Sequence, residues 1–212
     1  MPTNLSPTGA LSARELQSIN PKRFQQEYLK WTNYALEYDW WDYMEENFKS
    51  DTADKGFDVD RILFSLSYSQ GDYASFEGRI NVAEWMAAKK YDETYPALYL
   101  AVKDYGEHAQ VTDRYRGRAS VSFEGYVTGN TLPAGIFKHL DSEAWDDLVY
   151  EQFTAAGLED EMQSDVDALC RKLYSDLRDE YEHLTSEESF IESCECNDIT
   201  FEIEENESCD TL

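Results

Sequence analysis

The chain has 212 residues and a mass of 24.6 kDa, and its 42% apolar and 14% aromatic content is too rich for a disordered acidic polymer. Its net charge of −26 is unevenly spread: residues 141–212 hold 24 acids and three bases (Arg171, Lys172, Arg178), whereas residues 1–140 hold 20 acids and 15 bases. Such a field attracts cationic partners and repels nucleic acid and anionic membrane, and no apolar run approaches the roughly 20 residues that span a bilayer.

Residues 1–11 read as a flexible leader without the basic start and apolar segment of a signal peptide. A soluble, cytoplasmic protein with a single domain over residues 12–212 is therefore expected. Asn20-Pro21 reads as an N-cap followed by proline at the first helical position. Phe24, Tyr28, Trp31, Ala35 and Tyr38 then recur at helical spacing. Asp39 is placed to cap a second helix with Trp40, Trp41, Met44 and Phe48, ending before Gly56. Aromatic stripes at this spacing are usually core, and that is the expectation here.

Residues 61–68 alternate, with Ile62, Phe64, Leu66 and Tyr68 on one face. The alternation resumes at Ala74, Phe76, Gly78 and Ile80 beyond Ser69-Gln70-Gly71-Asp72, which predicts a β-hairpin. Asn81, with Glu84 in capping-box position, starts a short helix to Lys89. Residues 96–105 look helical, and a second hairpin joins 108–112 to 119–127. From Asp141 the chain turns helical. Met162, Val166, Leu169, Leu173, Leu177, Tyr181 and Leu184 form one apolar seam able to lie across a sheet. Thr185-Ser186-Glu187-Glu188 resembles a capping box before Phe190, and residues 199–203 could form a last strand. The fold class this predicts is α+β: N-terminal helices, a small antiparallel sheet built from hairpins, and a long acidic C-terminal helical region packed on it.

Chemistry-bearing motifs are sparse. His108, His139 and His183 each stand alone, and no phosphate loop, nucleophile elbow or metalloprotease helix occurs. Cys194-Glu-Cys196 is the only close cysteine pair, short of what a zinc site needs, so Cys170, Cys194, Cys196 and Cys209 read as reduced thiols. The run Glu159-Asp160-Glu161 reads as a solvated face rather than a Mg²⁺ site. No cofactor, metal or catalytic residue is expected.

The acidic end offers a physical comparison. Residues 179–212 carry thirteen acids and no Lys or Arg. As one helix they would span about 50 Å, or one charge per roughly 4 Å. A single DNA strand has one per about 3.4 Å, and a duplex one per about 1.7 Å along its axis. Two copies brought together in a homodimer would approach duplex density. The candidate binding residues are Asp179, Glu180, Glu182, Glu187, Glu188, Glu192, Glu195 and Asp198.

The stretch 60–79, DRILFSLSYSQGDYASFEGR, resembles a family of small phage and prophage proteins, some regarded as antitoxin-like. Phe64-Ser65, Ser69-Gln70-Gly71-Asp72, Ala74 and Phe76 carry the resemblance, which continues at Trp40-Trp41-Asp42, 173–177, 180–186 and Phe201. Tyr73 stands where that family usually has a second glycine. The resemblance implies a phage origin and supplies no catalytic residue. Three functions stay open. One is a non-enzymatic inhibitor or antitoxin that binds a basic surface of a host protein without touching nucleic acid or membrane. Another is a small enzyme at the Ser69-Gln70-Gly71-Asp72 hairpin, which would not survive Asp72→Asn. The third is an assembly factor whose aromatic helices over 24–48 form an interface, which light scattering on a truncated chain would reveal.

Overall fold

A computed structural model describes residues 10–67, 71–105, 108–113, 118–123 and 151–203. The architecture is α+β. In chain order it runs β1 (Ala10–Leu11), α1 (Ala13–Ile19), α2 (Pro21–Ala35), α3 (Asp42–Ala53), β2 (Phe57–Ser65), β3 (Tyr73–Asn81), α4 (Val82–Ala88), α5 (Tyr91–Thr94), α6 (Pro96–Tyr105), β4 (His108–Asp113) and β5 (Ala119–Phe123). After residues 124–150 come α7 (Glu151–Ala155), α8 (Leu158–Leu184), α9 (Glu187–Cys196) and β6 (Phe201–Glu202). The helix expected to begin at Asp141 is described from Glu151 onward, and the end of the second predicted hairpin, 124–127, lies outside the described residues.

The chain divides into two compact units: one of residues 1–40 and 179–212, the other of 41–178. No composition break marks either boundary, because the second falls inside the unbroken helix α8.

In the unit formed by the chain ends, Ser12 caps α1 in a complete capping box with Glu15. Asn20 caps α2 by accepting from the Arg23 N–H, with Pro21 at the first position as the sequence predicts. Leu11, Ala13, Leu16 and Phe24 then bury against Phe190, Ile191 and Cys194 of α9, with Tyr28, Trp31 and Phe201 packed around them. Phe190 is the hub. Its ring meets Phe24, Tyr28, Trp31 and Phe201 with centroids 5.4–6.4 Å apart. Two residues that the sequence assigns to the leader belong to this unit. Ala10 and Leu11 pair antiparallel with Glu202 and Phe201, and Leu11 is fully buried. Two residues are too few to show a period, so this strand has no sequence signature. The last strand does form, but it pairs with β1 and not with the main sheet.

The central unit holds a four-stranded antiparallel sheet of order β2-β3-β4-β5. The first hairpin starts earlier than predicted, with β2 at Phe57, and its strands close at the Ser65–Tyr73 pair, before Leu66; Tyr68 lies outside the described residues. A bulge between Val59 and Arg61 leaves Asp60 and Arg61 exposed in succession, which hides the alternation upstream of Arg61. The Asp60 carbonyl freed there accepts from Lys49 Nζ at 2.9 Å. Helix α3 begins at Asp42 with no side-chain cap, so Asp39 does not cap it; Asp42 and Glu45 instead lie in its first turn, where carboxylates favour the helix dipole. Phe48 and Phe57 meet Phe76 edge-on, and Trp41 meets Phe64. Helix α8 buries Leu158, Met162, Val166, Cys170, Leu173 and Leu177. Its Gln163 bridges β5, accepting from the Val121 N–H and donating to the Ala119 carbonyl. Leu169 departs from the predicted seam: it is half-buried, and Cys170 takes the core position.

Candidate functional site

The eight predicted carboxylates lie in the unit formed by the chain ends. Asp179, Glu180 and Glu182 occupy the last two turns of α8; Glu187, Glu188, Glu192 and Glu195 lie on α9, and Asp198 follows it. Glu188, Glu192 and Glu195, spaced four and three, share one exposed stripe, while Phe190, Ile191 and Cys194 face the core.

Glu187, Glu188 and Glu195 are committed within the fold. Arg14 of α1 reaches Glu188 at 2.6 Å and Glu195 at 2.8 Å, and these two hydrogen-bonded carboxylates hold its guanidinium pKa above the usual value. Glu187 accepts from Gln17 Nε2 at 2.9 Å and Gln25 Nε2 at 2.6 Å. Arg14 lies in the electrostatically ordinary half of the sequence, and only the α1–α9 packing brings it to the acidic helix. No sequence spacing announces it.

Asp198 has a backbone reason to be there. It sits at φ 53, its N–H points to the Glu195 carbonyl, and Ile199 N–H donates to the Cys194 carbonyl at 2.8 Å. That pattern is a Schellman closure of α9, with Asp198 as its left-handed residue. The cap at the other end is Ser186, which accepts from the Ser189 N–H at 3.1 Å and donates to the His183 carbonyl at 2.9 Å. The predicted Thr185–Glu188 box does not form as such.

This break also alters the charge geometry. The acids of residues 179–203 do not line one rod, because α8 stops at Leu184 and α9 ends at Cys196. Glu204, Glu205, Glu207 and Asp210 lie outside the described residues. What remains is unusual for a different reason. Asp179, Glu180 and Glu182 crowd the C-terminal end of α8, and Glu192 and Glu195 that of α9, with no Lys or Arg in either last turn. Of these, Glu182 and Glu195 lie in the last turns, where a helix dipole disfavours an anion by about 0.3–1 kcal/mol.

At the other candidate, Ser69 and Gln70 lie outside the described residues, whereas Gly71 and Asp72 are described. Asp72 Oδ1 accepts from both the N–H and the hydroxyl of Ser67, each at 2.9 Å. The carboxylate thus closes the loop on itself. His183 is exposed, with Nδ1 3.2 Å from Ser189 Oγ, and His108 is exposed at the start of β4; His139 lies outside the described residues.

The chain matches the domain of unknown function DUF8835 over residues 40–187, more than two thirds of its length. It belongs to that family. The DUF8835 span takes in the whole central unit and reaches the first residue of α9, so Glu188, Glu192, Glu195, Asp198 and Arg14 lie beyond it. Comparison with curated proteins and with solved structures finds no match.

Among the described residues, no three His, Cys, Asp or Glu side chains group as a metal ion requires. Cys170 and Cys194 are buried free thiols and Cys196 is an exposed one. Burial pushes the Cys170 pKa up to about 11 and raises that of Cys194, opposite to what a nucleophilic thiolate needs. The Glu159-Asp160-Glu161 run forms the first turn of α8, where carboxylates stabilise a helix. No helix among the described residues is long and apolar enough to cross a membrane.

Proposed function

We propose that this DUF8835 protein is a non-enzymatic binding protein whose acidic C-terminal face engages a basic surface of another protein. The role that fits is a phage-type inhibitor or antitoxin-like factor, acting in the host cytoplasm on a defence or nucleic-acid-handling protein. One observation carries the reading: carboxylates crowd the C-terminal ends of α8 and α9 with no Lys or Arg in either last turn, and Glu182 and Glu195 there oppose the helix dipoles. Features that work against local stability are best explained by a use outside the fold. A cationic partner would turn that cost into binding energy and would be steered to the face from solution.

The test is affinity capture from host extract with the full chain and with a variant carrying Glu180→Gln and Glu192→Gln. These two are chosen because Glu187, Glu188 and Glu195 also hold the fold. At about 0.5 kcal/mol for each charge contact, the variant should bind its partner about 5-fold more weakly. Capture should also fade as NaCl rises, and duplex DNA should compete if the partner surface normally holds nucleic acid. No captured protein, or one retained equally by the variant at high salt, would sink the reading.

A further inference from the structure

The central unit contains a cleft of about 390 Å³ between the end of α4 and the middle of α8, within the size range of small-molecule sites. Phe57 and Trp85 line it, together with Ala88, Ala168 and Leu169. Three lysines, Lys55, Lys89 and Lys172, converge on it in a protein with only 18 basic residues and a net charge of −26. This is the apolar surface that Leu169 faces instead of the core, which explains its departure from the seam.

The charges in the cleft are not equivalent. Asp165, its only carboxylate, is already committed: Oδ2 accepts from Trp85 Nε1 at 2.9 Å, and Lys89 Nζ lies 2.8 Å from Oδ1. Lys89 also reaches Glu161 at 3.5 Å. Lys172 pairs with Asp176, one turn further along α8, while its side chain remains largely exposed. Lys55 forms no side-chain hydrogen bond or ion pair among the described residues. A ligand entering here meets an acceptor that is spent and cations that still have capacity.

From this arrangement we infer that the cleft is a binding site for a small organic anion, a flat apolar ring bearing a carboxylate or phosphate oxyanion. The ring would lie along Phe57 and Trp85 in the space left by the two alanines. The oxyanion would meet Lys55 and Lys172. The cleft lies wholly within the DUF8835 span and is independent of the acidic face, so either reading can fail without the other.

Anilinonaphthalene sulfonate, an aromatic anion whose fluorescence rises on leaving water, is a suitable probe for the full-length chain. The Trp85 indole N–H cross-peak, assigned through Trp85→Phe, reports the location of the probe. A saturable one-site titration that shifts this cross-peak is expected. Lys55→Glu should weaken the sulfonate at least tenfold and leave neutral phenylnaphthylamine unchanged, and Ala168→Phe should exclude both. Displacement by naphthoate or by naphthyl phosphate identifies the preferred oxyanion, and failure of both overturns the proposal. An unmoved Trp85 cross-peak, or equal sulfonate affinity in Lys55→Glu, overturns it as well.

Discussion

Two glycines show how closely the central unit is built. Gly56, at φ 83, brings the chain under α4: its carbonyl accepts from the Asn81 N–H at 2.8 Å, and an added Cβ would lie 2.6 Å from the Trp85 nitrogen. Because Asn81 spends its N–H on Gly56, only half of the predicted capping box with Glu84 forms, namely the Glu84 N–H to Asn81 Oδ1 bond at 3.2 Å. Gly78 lies opposite the bulged segment of β2, where an added Cβ would meet the Asp58 carbonyl oxygen at 2.2 Å and the Val59 Cα at 2.9 Å. Both atoms are backbone and cannot rotate away. Gly78→Ala should therefore cost about 2–4 kcal/mol, more than ordinary overpacking of a side chain. Urea unfolding would show this as a lower midpoint with an unchanged slope. A midpoint within error of the native protein would mean that the bulge relaxes.

At the scale of elements, α9 is the helix on which most of the first unit depends. Its cap is Ser186 and its anchor is Phe190, which the rings of Phe24, Tyr28, Trp31 and Phe201 surround. Phe190→Ala should destabilise the unit by about 3–5 kcal/mol, and Ser186→Ala by about 1 kcal/mol. Near-ultraviolet circular dichroism during denaturation follows these aromatics directly, and equal losses from the two variants would refute the hub. Much of this was legible in sequence. The helical spacing of Phe24, Tyr28 and Trp31 marks a buried face, and Asn20-Pro21 marks its start, because both signals are local. Tyr38 was misplaced, since α2 ends at Ala35 and Tyr38 is 62% exposed. The bulge at Asp60 and the exchange of Leu169 for Cys170 were not legible. Each depends on how a strand or helix rotates against its partner, which periodicity alone does not fix. The same limit applies to the sites: the acids were visible as composition, whereas Arg14 and the three lysines of the cleft meet only through tertiary packing.

For the whole molecule, the question is whether repulsion or pairing governs stability. The visible ion pairs are mostly exposed; Arg14 and Glu188, for example, have side chains 52% and 58% accessible, so each pair contributes about 0–1 kcal/mol. Against them stands a net charge of −26, of which residues 141–212 carry −21. Salt weakens both effects, shortening the screening length from about 30 Å at 0.01 M to about 8 Å at 0.15 M. Short pairs feel this less than carboxylates spread over a surface, because separations near 3 Å stay inside either screening length. Repulsion should therefore be relieved first. Raising NaCl across that range should increase the melting midpoint by about 4 °C, corresponding to roughly 1–2 kcal/mol for a chain of this size. Sodium chloride suits the experiment better than sulfate, which stabilises folded proteins through exclusion from their surfaces. A midpoint that falls with NaCl would place the balance with the pairs. The variant neutralised at Glu180 and Glu192 should show a smaller salt response and a higher midpoint at low salt, since it carries two fewer of the acids that repel one another.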